Sequence, residues 1–338
     1  MPNTPDSVYD YYDITDIIGE GTFSTVGLAT HKFTNEKYAV KVISKDCLDK
    51  QKRSYVDWEI SILTKCSHPN IVDFIEYFES DEDICLVLEW VSNGDLFERI
   101  VKKGVFTEEE ARLTMISILS AVEYLHDRSI AHRDIKPENI LFNNERGDVK
   151  LADFGLSKFY DESTGLDSAC GTPAYSAPEI SSNQVYRKSV DMWSVGCILY
   201  FILYGKPPFY SDDESTICRL VSKGEWSFPS VMAKNHSLSV QNLIKGLLDR
   251  DPVKRLTVKQ ALNHDWITQS QSMVLEYLST IQEDSISSTT IDTTNRKSSI
   301  LSSSSTKPIS IKQSLLRSSL NSSVEYARGY LTPPNNLM

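Results

Sequence analysis

The stretch His132-Arg133-Asp134-Ile135-Lys136-Pro137-Glu138-Asn139 decides how the rest of the chain is read. Asp134 and Asn139 are five residues apart, and Pro137 between them rules out a regular helix, because proline has no backbone N–H to donate. A loop of this kind can aim one carboxylate at a hydroxyl and one amide oxygen at a metal ion. Asp153-Phe154-Gly155 follows an apolar run and adds a second oxygen ligand, of the hard kind that Mg2+ prefers. Asp and Asn in loops are usually turn formers. Their joint spacing here sets that reading aside.

Working outward, the first ninety residues alternate like β-strands, as in Lys37-Tyr38-Ala39-Val40-Lys41-Val42-Ile43 and Asp83-Ile84-Cys85-Leu86-Val87-Leu88. Between them, Ser54 to Cys66 fits one helix, with Trp58, Ile62 and Cys66 spaced by four. Ile18-Gly19-Glu20-Gly21-Thr22-Phe23-Ser24-Thr25-Val26 lies between strand-like runs. Its glycines allow backbone amides to approach phosphates closely. Alone, the stretch also fits an ordinary hairpin. It does not open a helix, which disfavours a dinucleotide-binding βαβ unit. Lys41 lies in a strand with its stem among apolar neighbours, although a lone lysine there also fits the surface. Glu59, eighteen residues on, sits on the helix and can pair with it. After residue 95 the pattern turns helical. Thr107 and Glu110 form a capping box ahead of Leu113, Ile116, Leu119 (or Ser120) and Tyr124. Asp191 to Tyr204 is apolar nearly all round, which marks a buried helix.

Composition bounds the answer. The 338 residues are 40% hydrophobic and 24% charged, as in soluble globular proteins. The longest strongly apolar run, Val195 to Tyr204, is too short for a bilayer, which needs about 20 residues. The start Met1-Pro2-Asn3-Thr4-Pro5 has neither the charged nor the apolar region of a signal peptide. Lipid attachment is not expected either, as no myristoylation glycine or prenylation cysteine is present. The net charge of −11 argues against nucleic acid and anionic membrane and suits basic partners. Six scattered cysteines without metal spacing predict free thiols in a reducing compartment, cytoplasmic or nuclear. Residues 268–338 are rich in serine and threonine, including Ser302 to Ser305. They carry six basic and five acidic residues, leaving 29 basic and 41 acidic before them. Too little apolar material is present there to offset ordering entropy, so this tail is expected to be mostly disordered.

Taken together, these motifs resemble a eukaryotic-type protein kinase over residues 12–267. The matches are the glycine loop, Tyr38-Ala39-Val40-Lys41, the His132-Arg133-Asp134 loop, Asp153-Phe154-Gly155 and Ala177-Pro178-Glu179, in that order. The resemblance implies an α+β, bilobal fold. A β-rich N-lobe covers about 12–89 and a helical C-lobe about 92–267, with 1–11 as an extension. It implies ATP and Mg2+, with Mn2+ as an alternative metal. Lys41 binds the α/β-phosphates and pairs with Glu59, Asp134 orients the substrate hydroxyl, Lys136 neutralises the transferring phosphoryl group, and Asn139 and Asp153 hold the metal. The loop Ile18 to Val26 and Ala39 line the nucleotide site. Leu88 is the gatekeeper, Glu89 to Val91 the adenine-binding hinge and Asp95 the ribose contact. The third loop glycine of the family pattern is Ser24 here. Asp191 to Gly196 resembles the central buried helix, and Arg255 the partner of Glu179.

Lys136 and Gly171-Thr172-Pro173 resemble serine/threonine rather than tyrosine kinases. Asp95 and Glu138 match acids that read an arginine three residues before the phosphoacceptor. The position that carries a glutamate for a second arginine in some relatives is Phe201. Trp90 to Phe97, Asp153 to Lys158 and Ala169 to Tyr175 look like the calcium/calmodulin-dependent kinase group, which includes single-domain myosin light chain kinases of amoebae. Calmodulin is therefore kept as a candidate partner beside protein substrates. The tail segments Gln271–Gln282 and Ile309–Leu320 carry at most Lys312 and Arg317 for it. A monomer is expected. Ser168 matches the activating phosphosite, with Arg133 and Lys158 as the cations that receive the phosphate, while Thr172 contacts the catalytic loop. The rival from another class is a pseudokinase scaffold. The identities of Lys41, Glu59, Asp134, Asn139 and Asp153 speak against it.

Overall fold

The computed structural model describes residues 7–21, 24–143, 148–161, 163–166, 168, 170–180, 185–230 and 235–269. Helix α1 (Val8–Tyr11) opens on a capping box between Ser7 and Asp10. Strands β1 (Tyr12–Glu20), β2 (Ser24–His31) and β3 (Lys37–Ser44) follow. A 3-10 turn at Lys45–Cys47 leads to α2 (Lys50–Leu63), then β4 (Phe74–Glu79) and β5 (Asp83–Glu89). These strands form one antiparallel sheet in the order β1-β2-β3-β5-β4. Alternation sends Val40 to one face, where it meets Val8, Tyr12, Ala29, Cys85 and Val87. Ile43 goes to the other face, in a core with Val56, Ile62 and Leu63 of α2. Lys41, two residues from Ile43, shares that second face.

One boundary differs from the sequence reading. The helix expected at Ser54–Cys66 runs Lys50–Leu63, because the Asp49 side chain caps it through the Lys52 N–H a turn earlier. Its buried face is Val56, Glu59, Ile62 and Leu63, whereas Trp58 is partly exposed. Within the stretch expected as an extension, Val8 and Tyr11 pack on the sheet.

The helical half contains α3 (Leu96–Lys103), α4 (Glu108–Asp127), β6 (Ile130–Ala131), β7 (Ile140–Phe142), β8 (Val149–Leu151), β9 (Lys158–Phe159), α5 (Ser189–Tyr204), α6 (Glu214–Lys223), α7 (Leu238–Leu247), α8 (Val258–Leu262) and α9 (Asp265–Thr268). The Thr107–Glu110 box opens α4 as its spacing predicts. Helix α5 is buried from Val190 to Tyr204 and packs against α4 and α7. Gly196 permits the close approach to α7, since a Cβ there would lie 2.8 Å from the Leu247 Cβ. Arg255 holds Glu179 through two hydrogen bonds, 2.6 and 2.9 Å, which ties the Ala177-Pro178-Glu179 segment to the region ahead of α8. Near the end of the described chain, Trp266 Nε1 donates to Glu108 and Arg112 Nε donates to the Trp266 carbonyl. No described helix is long and apolar enough to cross a membrane. The tail beyond residue 269, with both of its candidate calmodulin segments, lies outside the described residues.

Candidate active site

The central strand β3 carries Lys41 toward α2, where its Nζ lies 2.6 Å from Glu59 Oε1 and 2.9 Å from Asp153 Oδ1. Burial alone would favour the neutral amine. The two carboxylates outweigh it and hold the ammonium above its usual range. Glu59, itself buried, is pushed up by desolvation, and the Lys41 charge opposes that shift. Asp153 is held well below the usual carboxylate range, chiefly by the Lys41 charge, with burial opposing. Gly155 sits against this trio, where a Cβ would lie 3.2 Å from Asp153 Oδ1 and 3.3 Å from Lys41 Nζ.

The loop between β6 and β7 gathers its polar groups on Asp134. Lys136 Nζ lies 2.9 Å from Asp134 Oδ2, and Asn139 Nδ2 donates to the Asp134 carbonyl at 2.8 Å and to Oδ2 at 3.2 Å. The Thr172 hydroxyl donates to Asp134 Oδ1 at 3.2 Å. Arg133 is left-handed at φ 69° and Asp153 at φ 57°, both unusual for residues with side chains. Fully buried Asp191 on α5 holds the loop from beneath. It accepts from the His132 N–H, the Arg133 N–H and His126 Nε2 at 2.8 to 3.0 Å. Burial opposes its charge. The hydrogen bonds from His126 and the Arg133 N–H still bring the carboxyl below its usual range. The His132 Nε2–H donates to the Ala152 carbonyl, and its ring meets Phe154 edge-on at 4.9 Å. These contacts join the loop to Asp153-Phe154-Gly155.

The glycine hairpin lies at the β1–β2 turn, with Gly19 opposite Val26 and Glu20 opposite Thr25. Ile18 is exposed, and the Gly21 N–H donates to the Ser24 carbonyl at 2.7 Å. Thr22 and Phe23 lie outside the described residues. At the junction of the two halves, Ala39 pairs with Leu88 across β3 and β5. The Glu89 carboxylate accepts from buried Lys150 at 2.7 Å and from the Asp73 N–H. Val91, past the end of β5, keeps its N–H and C=O clear of other described backbone groups. Asp95 caps α3, accepting from the Glu98 N–H at 2.7 Å. Burial pushes its carboxyl up, and the charges of Glu98 and exposed Glu138 add to that. Phe201 is buried and stacks on Phe97.

On the segment after Asp153-Phe154-Gly155, Arg133 Nη1 donates to Ser168 Oγ at 2.8 Å, and its Nε donates to the Leu156 carbonyl. Arg133 Nη2 is buried without a hydrogen-bond partner among the described residues. Lys158 pairs with Ala131 across β9 and β6, and makes no described bond to Ser168.

A β-rich lobe and a helical lobe, with a buried lysine–glutamate pair from one meeting Asp153 and an Asp/Asn loop from the other, define a protein kinase. The model of the protein kinase domain matches residues 12–267. The chain is 70% identical over 269 residues to a probable myosin light chain kinase of Dictyostelium discoideum, covering 79% of this chain and 56% of that protein. It is 40% identical to calcium/calmodulin-dependent protein kinase type 1 of Macrobrachium nipponense, covering 82% of this chain and 81% of that one. It is 41% identical to myosin light chain kinase A of Dictyostelium discoideum, covering 77% and 89%. The chain belongs to the protein kinase family, and residues 12–267 form a serine/threonine protein kinase domain whose phosphoryl donor is ATP.

Sequence reasoning missed the part played by Asp191 and His126 beneath the loop, the Lys150–Glu89 bond and the capping role of Asp95. Only Asp95 left a local signal, an Asp directly ahead of the Leu96 to Lys103 helical run. Replacing Gly155 by alanine tests the tightness of the Lys41 trio. The added methyl must displace Lys41 or Asp153 by a few tenths of an ångström. Phosphoryl transfer is expected to fall about tenfold or more, since misplacing a positioned group is costly. Steady-state kinetics on a protein with an unchanged melting temperature would show this, and parental rates would show that the trio tolerates the shift.

Proposed function

We propose that the protein is an active kinase that transfers the γ-phosphoryl group of ATP to serine or threonine of protein substrates with an upstream arginine. The observation that carries this reading is the convergence of Lys136, Asn139 and Thr172 on the Asp134 carboxyl group. In the transfer, the substrate hydroxyl oxygen bonds to the γ-phosphorus as the bond to the β–γ bridging oxygen breaks. The hydroxyl proton passes to Asp134. Lys136 faces the charge on the moving phosphoryl group. Lys41, oriented by Glu59, holds the α/β-phosphates under the hairpin from Ile18 to Val26. Ala39, Leu88 and the backbone of Glu89 to Val91 enclose the adenine, and Asp95 takes the ribose.

The residues present fit a divalent cation. Asn139 spends its Nδ2 on Asp134 and Asp153 spends Oδ1 on Lys41 and the Gly155 N–H, which leaves Asn139 Oδ1 and Asp153 Oδ2 as hard oxygen ligands. Mg2+ held there would neutralise phosphate charge. A pseudokinase is disfavoured because all five groups that such scaffolds lose are present. Substrate reading is assigned to Asp95, Glu138 and Thr172. The charge of Glu138 adds to the upward push on Asp95, and a guanidinium between them would relieve both. Six free cysteines support a cytoplasmic or nuclear setting. One relative's name brings calmodulin forward as a candidate regulator. Ser168 is assigned as the activating phosphosite because buried Arg133 already reaches its hydroxyl and holds Nη2 unpaired beside it.

Asp134→Asn keeps the shape of the loop and removes the proton acceptor, and Lys41→Met removes phosphate positioning. Each is expected to cut turnover of a basic peptide by at least about a hundredfold, a typical scale for lost acid–base assistance. Near-normal turnover in either folded mutant refutes its role. In a peptide library, the parent is expected to favour arginine three residues before serine, and Glu138→Ala to flatten that preference. The same library with and without calcium and calmodulin decides that regulator, as unchanged activity rules it out. Ser168→Ala is expected to prevent activation by phosphorylation. Full activity with no phosphate on residues 156–176 of the parent refutes the switch.

A further inference from the structure

Tyr186 lies three residues ahead of α5 and is 3% exposed, yet its hydroxyl is fully engaged. It donates to the Ser168 carbonyl oxygen at 2.6 Å and accepts from Arg133 Nη1 at 3.0 Å. The same Nη1 donates to Ser168 Oγ at 2.8 Å. The Cys170 sulfur lies 3.8 Å from the hydroxyl. One phenol therefore bonds both the backbone of Ser168 and the guanidinium that reaches its side chain. Backbone pairing supports it, since Leu166 and Tyr186 exchange two N–H···O=C bonds of 2.9 Å. Gly165, at φ 68°, makes that approach possible, because a Cβ there would lie 2.3 Å from Val185 Cγ1 and 2.8 Å from the Tyr186 carbonyl oxygen. Burial is the main cause that pushes the phenol up to about 12, so it remains a neutral donor.

We propose that Tyr186 is a positioning residue that holds the Ser168 segment in register with Arg133 when Ser168 carries no phosphate. It acts through Arg133, whose neighbour Asp134 takes the substrate proton, and touches neither substrate nor nucleotide. The chemistry of the bridge makes its importance depend on state. A Ser168 hydroxyl accepts one bond from Arg133, and the phenol supplies the second tie, to the carbonyl. A phosphate offers three strong acceptor oxygens to the same guanidinium, including its unpaired Nη2, and makes the phenol redundant. The inference rests on the assignment of Ser168 as the phosphosite only for this second half. The tie in the unphosphorylated protein stands on the geometry alone.

The test is Tyr186→Phe, which removes one oxygen and keeps the ring. It is made in two backgrounds of the full chain, Ser168→Ala, which cannot be phosphorylated and keeps the bonded carbonyl, and phosphoserine incorporated at 168 during translation. Peptide kcat/KM is expected to fall about tenfold in the Ser168→Ala background, equivalent to roughly one well-formed hydrogen bond at about 1.4 kcal/mol per decade. With phosphoserine at 168 the loss is expected to stay under about twofold, with melting temperatures unchanged in both. Equal losses in the two backgrounds would mark Tyr186 as merely structural and overturn the proposal, as would no loss in Ser168→Ala. If phosphoserine gives no gain over unphosphorylated parent enzyme, the Ser168 switch fails. A tenfold loss in the Ser168→Ala background would still support the phenol's role.

Discussion

The buried carboxylate of Asp191 is the constraint on which the catalytic half depends. Helix α5 is otherwise apolar, so a charge there is costly unless donors surround it. Three do, His126 Nε2 and the N–H groups of His132 and Arg133. Two consecutive backbone amides aimed at one carboxyl group require the loop to turn sharply. The left-handed conformation of Arg133, which costs on the order of 1 kcal/mol or more for a residue with a side chain, is thereby sustained. The direction of Asp134, the next residue, follows from that turn. So does the entry of the Arg133 side chain into the interior, where it meets the Leu156 carbonyl, Ser168 and Tyr186.

The second set of constraints runs between the halves. Lys41 belongs to the sheet, Glu59 to α2 and Asp153 to the segment after β8, so their ion pairs close only when all three elements are in place. Lys41 and Glu59 are strongly buried, which makes the interaction sensitive to geometry and the loss of either partner expensive. His132 links this trio to the Asp191 anchor, because its ring contacts Phe154 and its Nε2 bonds the Ala152 carbonyl. The residues before and after Asp153 are thus held by the same loop that presents Asp134.

Much of this was legible in the sequence because it rests on local patterns. The alternation from Lys37 to Ile43, the Thr107–Glu110 box and the apolar run from Asp191 to Tyr204 each follow from rules that act within a few residues. The motif order brought Lys41, Glu59, Asp134, Asn139 and Asp153 together before any contact was seen. The missed contacts are long-range. Nothing within ten residues of Lys150 predicts that it will meet Glu89, sixty-one positions earlier, and His126 reads as an ordinary last-turn histidine until Asp191 appears beside it. The α2 boundary was displaced for a different reason. The polar first turn, Lys50 to Arg53, shows no apolar period, and only the Asp49 cap marks where the helix begins.

Charge is distributed differently over the three clusters. At Lys41 two carboxylates face one ammonium, and their attraction holds the Lys41 ammonium above its usual range and the Asp153 carboxyl below its own. At Asp95 and Glu138 negative charges face one another, and burial together with their repulsion pushes Asp95 upward. At Arg133 the imbalance is positive, a buried guanidinium whose oxygen partners are carbonyl and hydroxyl groups and whose Nη2 has none among the described residues. A buried cation without a carboxylate partner among the described residues and acids held close together are both unfavourable for the isolated domain. They become favourable when a group of opposite sign arrives. The Lys41 trio keeps one carboxylate in excess and the Asp95–Glu138 pair keeps two acids together, so both stand to gain from a cation, whereas Arg133 stands to gain from an anion.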